Sequence, residues 1–145
     1  MGRIEQVWIK TASRGPMLAR KEAQIEAGAG LTEDAESKGS RPITLIEAGR
    51  WSRAEQLLGR SVDPVQRRAN VLVSGIDLNE SRGKVLKLGA VRVEIGGETA
   101  PCRLLDDAEP GLSEALREDW GGGAWGRALD AGDIAVGDSV EWAAD

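Results

Sequence analysis

The stretch Val85-Leu86-Lys87-Leu88-Gly89-Ala90-Val91-Arg92-Val93-Glu94-Ile95-Gly96-Gly97 decides the fold class. Val91 to Ile95 alternates apolar and charged residues, the pattern of a strand with one buried face. Val85 and Lys87 begin the same alternation. Leu88-Gly89-Ala90 interrupts it and predicts a bulge or bend within the run. Gly96-Gly97 predicts a two-residue hairpin turn. That turn would send the chain back through Glu98-Thr99-Ala100 toward Pro101-Cys102.

Working outward, the same kind of signal recurs in short pieces. Ile4 to Lys10, Ile43 to Ile46 and Ala69 to Val73 read as strands, and Asp133 to Trp142 alternates around Gly137-Asp138. Residues 15–27 fit helix or strand equally well. Gly28 to Arg41 is polar, carries three glycines and has no periodicity, so it reads as a long loop. Loops of that length in a compact chain are usually functional or mobile. Ser52-Arg53-Ala54-Glu55 has the spacing of a capping box, and Gly59 is a stop signal, so a short helix is expected over 52–58. Asp63-Pro64 favours a turn or a new helical start. A second short helix is expected within Gly111 to Asp119, broken by Gly121-Gly122-Gly123. Six or more short strands with two or three short helices predict a mainly β barrel rather than a doubly wound sheet.

Composition narrows the function. The chain has 145 residues, 41% apolar and 30% charged, which suits one domain with an ordinary core. No apolar run is long enough to span a membrane, and Met1 to Lys10 does not resemble a signal peptide. A cytoplasmic location with no membrane partner is the expectation. The absence of histidine excludes His-dependent triads, zincin sites and His-ligated haem. The single cysteine, Cys102, excludes an intrachain disulfide and a multi-cysteine zinc site. With a net charge of −5 and neither Tyr nor Phe, the chain does not look like a nucleic-acid binder. Of its 19 cations, 14 are Arg, the residue suited to bidentate binding of phosphate or carboxylate.

Two sites stand out. Cys102 follows Pro101 and precedes Arg103, which puts a cation next to the sulfur in sequence. A thiolate is both a nucleophile and a soft-metal ligand, so Cys102 suits a persulfide or a molybdenum bond. The competing reading is a small, buried hydrophobe with an inert thiol. Arg67-Arg68, with Asn70, enters the apolar run Val71-Leu72-Val73. Two guanidiniums at a strand mouth suit an anion clamp; the competing reading is a solvated charge pair. Gly121-x-Gly123-x-x-Gly126 matches the dinucleotide pattern literally, but it follows a predicted helix and lacks a βαβ context. It reads instead as a turn that lets backbone approach a ligand or the barrel wall, with Arg127 just beyond in reach of an anion. Asp106, Asp107 and Glu109 read as a solvated turn, and Glu33, Asp34 and Glu36 as a solvated loop.

Taken together and in order, four segments resemble the MOSC domain, the C-terminal module of molybdenum-cofactor sulfurases. Arg67-Arg68-Ala69-Asn70-Val71-Leu72-Val73-Ser74-Gly75-Ile76-Asp77-Leu78 is similar to its central signature. Pro101-Cys102-Arg103-Leu104-Leu105 resembles the segment that holds the family's key cysteine. Gly122 to Arg127 and Gly132 to Asp138 resemble its closing run, and Arg41-Pro42-Ile43-Thr44-Leu45 an earlier one. The resemblance spans about residues 4–142 and implies a single domain over 1–145.

The resemblance implies a closed, strongly bent barrel of the pyruvate-kinase-barrel type. It implies that Cys102 carries sulfane sulfur or ligates molybdenum, with molybdopterin as the cofactor. By the matched motifs, Arg67, Arg68 and Asn70 would line the anion side, with Ser74 close by. Arg41, Arg103 and Arg127 would complete the basic lining. A cysteine desulfurase or other sulfur donor, a molybdoenzyme or a redox partner would be the implied partner. Pyridoxal phosphate enters by family association only. One departure is local. The family's first loop reads like "G-L-x-G-D-x-H", whereas this chain has Gly30-Leu31-Thr32-Glu33-Asp34-Ala35-Glu36, with Glu33 for a glycine and no histidine. The chain also lacks a desulfurase domain and the extra N-terminal barrel of several reductase members.

Three functions are therefore in competition. The first is molybdenum-cofactor binding or sulfur carriage through Cys102, with sulfurtransferase-like chemistry. The second is a non-catalytic barrel that binds partners through exposed Trp residues and the 28–41 loop, with Cys102 buried. The third is a molybdenum-dependent reductase component acting on N-hydroxylated compounds.

Overall fold

The computed structural model describes residues 2–144. The strands are β1 (Gly2–Lys10), β2 (Met17–Arg20), β3 (Glu22–Ile25), β4 (Ile43–Glu47), β5 (Val71–Ser74), β6 (Val85–Leu88), β7 (Val91–Glu98), β8 (Ala124–Ala128), β9 (Gly132–Ala135) and β10 (Ser139–Trp142). The helices are α1 (Ala48–Leu58), α2 (Leu104–Ala108) and α3 (Leu112–Ala115), with 3-10 turns at Pro64–Arg67 and Glu118–Trp120. Seven strands close into a barrel in the ring order β10-β6-β7-β8-β4-β5-β1, with β1 pairing back to β10. Strand β2 extends the sheet from the second half of β1, and β3–β9 form a separate ribbon. The ambiguous stretch 15–27 is thus strand, in two pieces.

Every pairing is antiparallel except β4 with β5. A parallel pair needs a crossover of a dozen or more residues, and α1 with the 3-10 turn supplies it. Side-chain alternation then sorts two cores. Ile4, Val7 and Ile9 of β1, Leu45 of β4 and Val71 and Val73 of β5 point into the barrel. Trp8, Ile46 and Leu72 point outward from the same strands and are covered by Trp51, Ala54, Leu105, Leu112 and Leu116. Being buried on both faces explains why Val71-Leu72-Val73 is a continuous apolar run.

The structure corrects the reading of the deciding stretch. The two-residue turn is Gly89-Ala90, between Leu88 and its partner Val91, and Gly89 has φ +59°. Gly96 and Gly97 lie inside β7, where the register against β8 shifts. A Cβ on Gly96 would sit 2.3 Å from the Trp125 ring, so the glycine there makes room for an aromatic face. Both sites use glycine, the turn for its positive φ and the bulge for the close approach of Trp125.

Helix α1 also begins earlier than the capping-box spacing predicts. It starts directly off β4 with Glu47 at the N-cap, and no side chain caps it. Burial of Trp51 and Ala54 against the barrel fixes its register instead. Glu55 does not reach back to Ser52; its carboxylate accepts the Val62 N–H at 2.8 Å. The Gly59 stop is in place, with φ +74°. Asp106 and Asp107 belong to helix α2 rather than to a turn, and Asp106 accepts both the N–H and the Oγ–H of Ser113. Among the described residues no helix is long and apolar enough to cross a membrane.

Candidate functional site

Where β1 ends, β4 and β5 begin and β7 ends, a cleft of about 400 Å³ opens. Lys10, Glu36, Arg41, Arg67, Arg68, Thr99, Cys102 and Leu104 are among the residues that line it. Four basic side chains and one carboxylate thus face each other across a cleft in a chain of net charge −5. A cavity of about 540 Å³ lies between α1 and α3, but none of the candidate site residues lines it.

Each wall has a local cause. Asp63 accepts the Val65 N–H and Pro64 starts the 3-10 turn, which ends at Arg67. Arg67 then lies back on the barrel: its Nε donates to the Gly122 carbonyl and its Nη2 to the Thr99 carbonyl, both at 2.8 Å. Among the described residues its Nη1 makes no hydrogen bond, and Arg67 lines the cleft. Burial lowers the Arg67 pKa; the nearby Cys102 opposes that shift and Arg41 adds to it. Sulfur and guanidinium are therefore electrostatic neighbours. Arg68 follows in the left-handed region at φ +60° and donates to the Gly15 carbonyl at 2.7 Å. Such a conformation costs a non-glycine residue about 1–2 kcal/mol, and here Arg68 reaches Gly15 while Arg67 reaches Gly122 and Thr99.

The floor is polar and closed. Asp34, 4% exposed, accepts the Lys10 N–H at 2.7 Å and an Asn70 Nδ2–H at 3.1 Å through Oδ1, and the Glu36 N–H at 3.0 Å through Oδ2. The Lys10 ammonium lies 3.6 Å from both Asp34 and Glu36. The solvated loop expected at 33–36 is therefore wrong for Asp34: it is the buried hub that ties the 28–41 loop to β1 and β5. Asn70 is buried too, and accepts the Thr44 N–H at 3.0 Å while donating to the Trp8 carbonyl at 3.2 Å.

Of the residues singled out by sequence, Cys102, Arg41, Arg67 and Arg68 are brought together on the cleft. Asn70 lies beneath it, with its amide bonded to the protein on both sides. Ser74 is at the far end of β5, where it donates to Glu5 at 2.6 Å. Arg103 is exposed next to Cys102 but does not line the cleft. Arg127 is in β8 and donates to the Gly28 carbonyl at 3.0 Å. Lys10 and Glu36 are cleft residues that the sequence does not mark as such. Lys10 gives no local signal, since it ends an apolar strand; Glu36, expected in a solvated loop at the position of the family's histidine, instead lines the cleft and pairs with Lys10.

The competing reading with a sealed thiol does not hold, because Cys102 is exposed. Nor are the tryptophans a free binding set: Trp8 and Trp51 are buried, and Trp120, Trp125 and Trp142 are half-buried. Among the described residues no group of three or more His, Cys, Asp or Glu side chains could by itself hold a metal. A metal here would need its other ligands from a bound group.

The MOSC domain family model matches residues 22–141. The fold is similar to that of the YUAD protein from Bacillus subtilis, with a TM-score of 0.79 and 18% identity, over 97% of this chain and 94% of that one. It is similar to YiiM from Geobacillus stearothermophilus, with a TM-score of 0.74 and 14% identity, over 99% of this chain and 76% of that one. For YiiM from Escherichia coli the TM-score is 0.70 at 13% identity, over 99% of this chain and 70% of that one. No curated protein matches the chain. Identities this low carry the fold alone, and the family rests on the match across most of the sequence: the chain belongs to the MOSC domain family.

Proposed function

We propose that this chain binds a molybdenum cofactor of the molybdopterin type, with Cys102 as the metal's protein ligand or as a carrier of sulfane sulfur. The MOSC family is linked in general to molybdenum-cofactor binding. The observation that carries the reading is the exposed Cys102 thiol in one cleft with Lys10, Arg41, Arg67 and Arg68. The residues present fit such a group. A thiolate is a soft ligand suited to molybdenum, and guanidinium forks are suited to a pterin phosphate. The cleft volume of about 400 Å³ lies in the usual range of small-molecule sites.

When bound, the cofactor would supply a redox-active metal. The chain's own residues bind and orient it. Arg41 and Arg68, both exposed, present guanidinium groups at the mouth, Arg68 with its Nη2 held on the Gly15 carbonyl. Arg67, fixed to the Gly122 and Thr99 carbonyls, keeps its Nη1 pair for an anion. Ala69, Leu104 and Leu105 give an apolar wall against which a ring can lie. Glu36 stands in the cleft in place of an imidazole and is paired with Lys10, so a histidine-based proton transfer does not carry over. The reading therefore favours a cofactor or sulfur carrier that works with a sulfur donor, a molybdoenzyme or a redox partner over a self-sufficient reductase.

The test is the metal and pterin content of gently purified protein, with and without Cys102→Ser. The native chain is expected to carry molybdenum and pterin fluorescence. The serine variant should lose nearly all of the metal with an unchanged melting temperature, because an exposed thiol adds little to the core. Equal loading of the two proteins would overturn the assignment of Cys102.

A further inference from the structure

We infer that the cleft accepts a small anionic sulfane-sulfur donor of the thiosulfate class, so that Cys102 can be loaded without a protein donor. The inference rests on the reading of Cys102 as a sulfur carrier and names the substrate class. Its basis is the charge of the cleft and two sets of unspent hydrogen-bond donors. Basic side chains from separate segments (Lys10, Arg41, Arg67 and Arg68) line the same cavity as the thiol, inside a protein of net charge −5. A concave site of opposite sign to its surroundings concentrates small anions.

The Lys10 side chain is only 6% exposed, yet it faces this cavity. Its ammonium makes ion pairs at 3.6 Å to Asp34 and Glu36, and among the described residues it donates no hydrogen bond. The ammonium is thus charge-paired on its protein side, and with three donors it keeps capacity for a ligand in the cleft. The Nη1 hydrogens of Arg67 are likewise uncommitted. Lys10, Arg67 and Cys102 line the same cleft, and an oxyanion bound there would have these donors to use.

The nucleophile selects among anions. The Cys102 thiolate, its proton released to solvent, attacks the outer sulfur of thiosulfate. A bond forms between Sγ and that sulfur, the bond between the two donor sulfurs breaks, and sulfite leaves with the electron pair. The cysteine becomes a persulfide, and no external oxidant or reductant is needed. Arginine and lysine donors aimed at the departing sulfite stabilise the charge where it accumulates. A neutral donor would forgo that stabilisation.

The experiment incubates the full-length protein with thiosulfate and follows sulfite release together with the mass gain of one sulfur atom. The expected result is one persulfide per chain, slowed by added salt and by inorganic phosphate, and absent in Cys102→Ser. Arg41→Gln, an exposed position, should slow loading about tenfold with no change in melting. Lys10→Met should do the same if it folds; the Arg41 variant keeps the test decisive if it does not. Loading of Cys102 by a neutral organic trisulfide or a cysteine desulfurase, but not by thiosulfate, would overturn the inference and leave the carrier reading standing. Failure of every donor to load Cys102 would overturn both.

Discussion

Replacing Asp34 with alanine should destabilise the protein by about 3–5 kcal/mol, the cost of breaking a buried charge pair by removing one partner. The size follows from what the carboxylate holds. Its side chain is 1% exposed and accepts three N–H groups: the Lys10 and Glu36 backbones and the Asn70 amide. It is also the buried counter-charge of the Lys10 ammonium. Alanine would strand these donors at once, and Glu36, 48% exposed, cannot move in to replace the charge without opening the loop. Asp34→Asn keeps an acceptor oxygen and should cost clearly less. Urea denaturation of both variants measures this as a shift in midpoint. A loss below about 1 kcal/mol for alanine would mean that the floor of the cleft is not held in this way.

The second large effect is expected at the opposite wall. Gly123→Ala should cost about 3 kcal/mol or more, combining a left-handed backbone with a steric clash. Gly123 has φ +106°, and an added Cβ would lie 2.1 Å from the Leu45 carbonyl oxygen and 3.0 Å from Ile46 Cγ2. The oxygen is backbone in β4, on the side where Leu45 pairs with Ala124 of β8, so it cannot yield cheaply. The turn would have to lift away from the barrel. Gly122 would move with it, and its carbonyl accepts both Arg67 Nε–H and Thr99 Oγ–H. Thermal unfolding and anion binding in the cleft should therefore fall together in this variant. A folded protein of native melting temperature would show that the turn is softer than its contacts imply.

The glycine-rich turn shows how far the sequence can be read. Its flanking elements predict a close approach of backbone rather than a dinucleotide loop, and Gly122 and Gly123 do lie against the backbone of Thr99 and Leu45. The strands β4, β5, β7 and β10 were legible because apolar alternation or a continuous apolar run reports burial directly. Helix α2 was not: Leu104-Leu105-Asp106-Asp107-Ala108 is too short to show a period, and it is held by Leu105 against the outer core and Asp106 on Ser113. The position of α1 failed for a related reason, since packing of Trp51 outweighed a capping pattern.

The site was half legible. Cys102, Arg67, Arg68 and Arg41 lie in separate segments that resemble family runs, and the fold brings them to one cleft. Lys10 and Asp34 needed coordinates, because a lysine ending a strand and an aspartate in a polar loop look solvated until the loop is seen folded over β1. Asn70 and Ser74 show the converse. Both lie in the central signature, yet the first is spent on the backbone of β1 and β4 and the second on Glu5. A motif residue can serve the fold that presents a site without touching its occupant.

The claim beneath all of this is that one reachable thiol sits in a positive recess. Its most direct test is the rate at which Cys102 in the native protein reacts with an anionic and with a neutral disulfide reagent of similar size, at low and high salt. The account predicts that the anionic reagent is faster by roughly tenfold or more at low salt and loses that advantage near 1 M, where charges are screened within about 3 Å. Equal rates at every salt concentration, or a thiol that reacts only after denaturation, would contradict it.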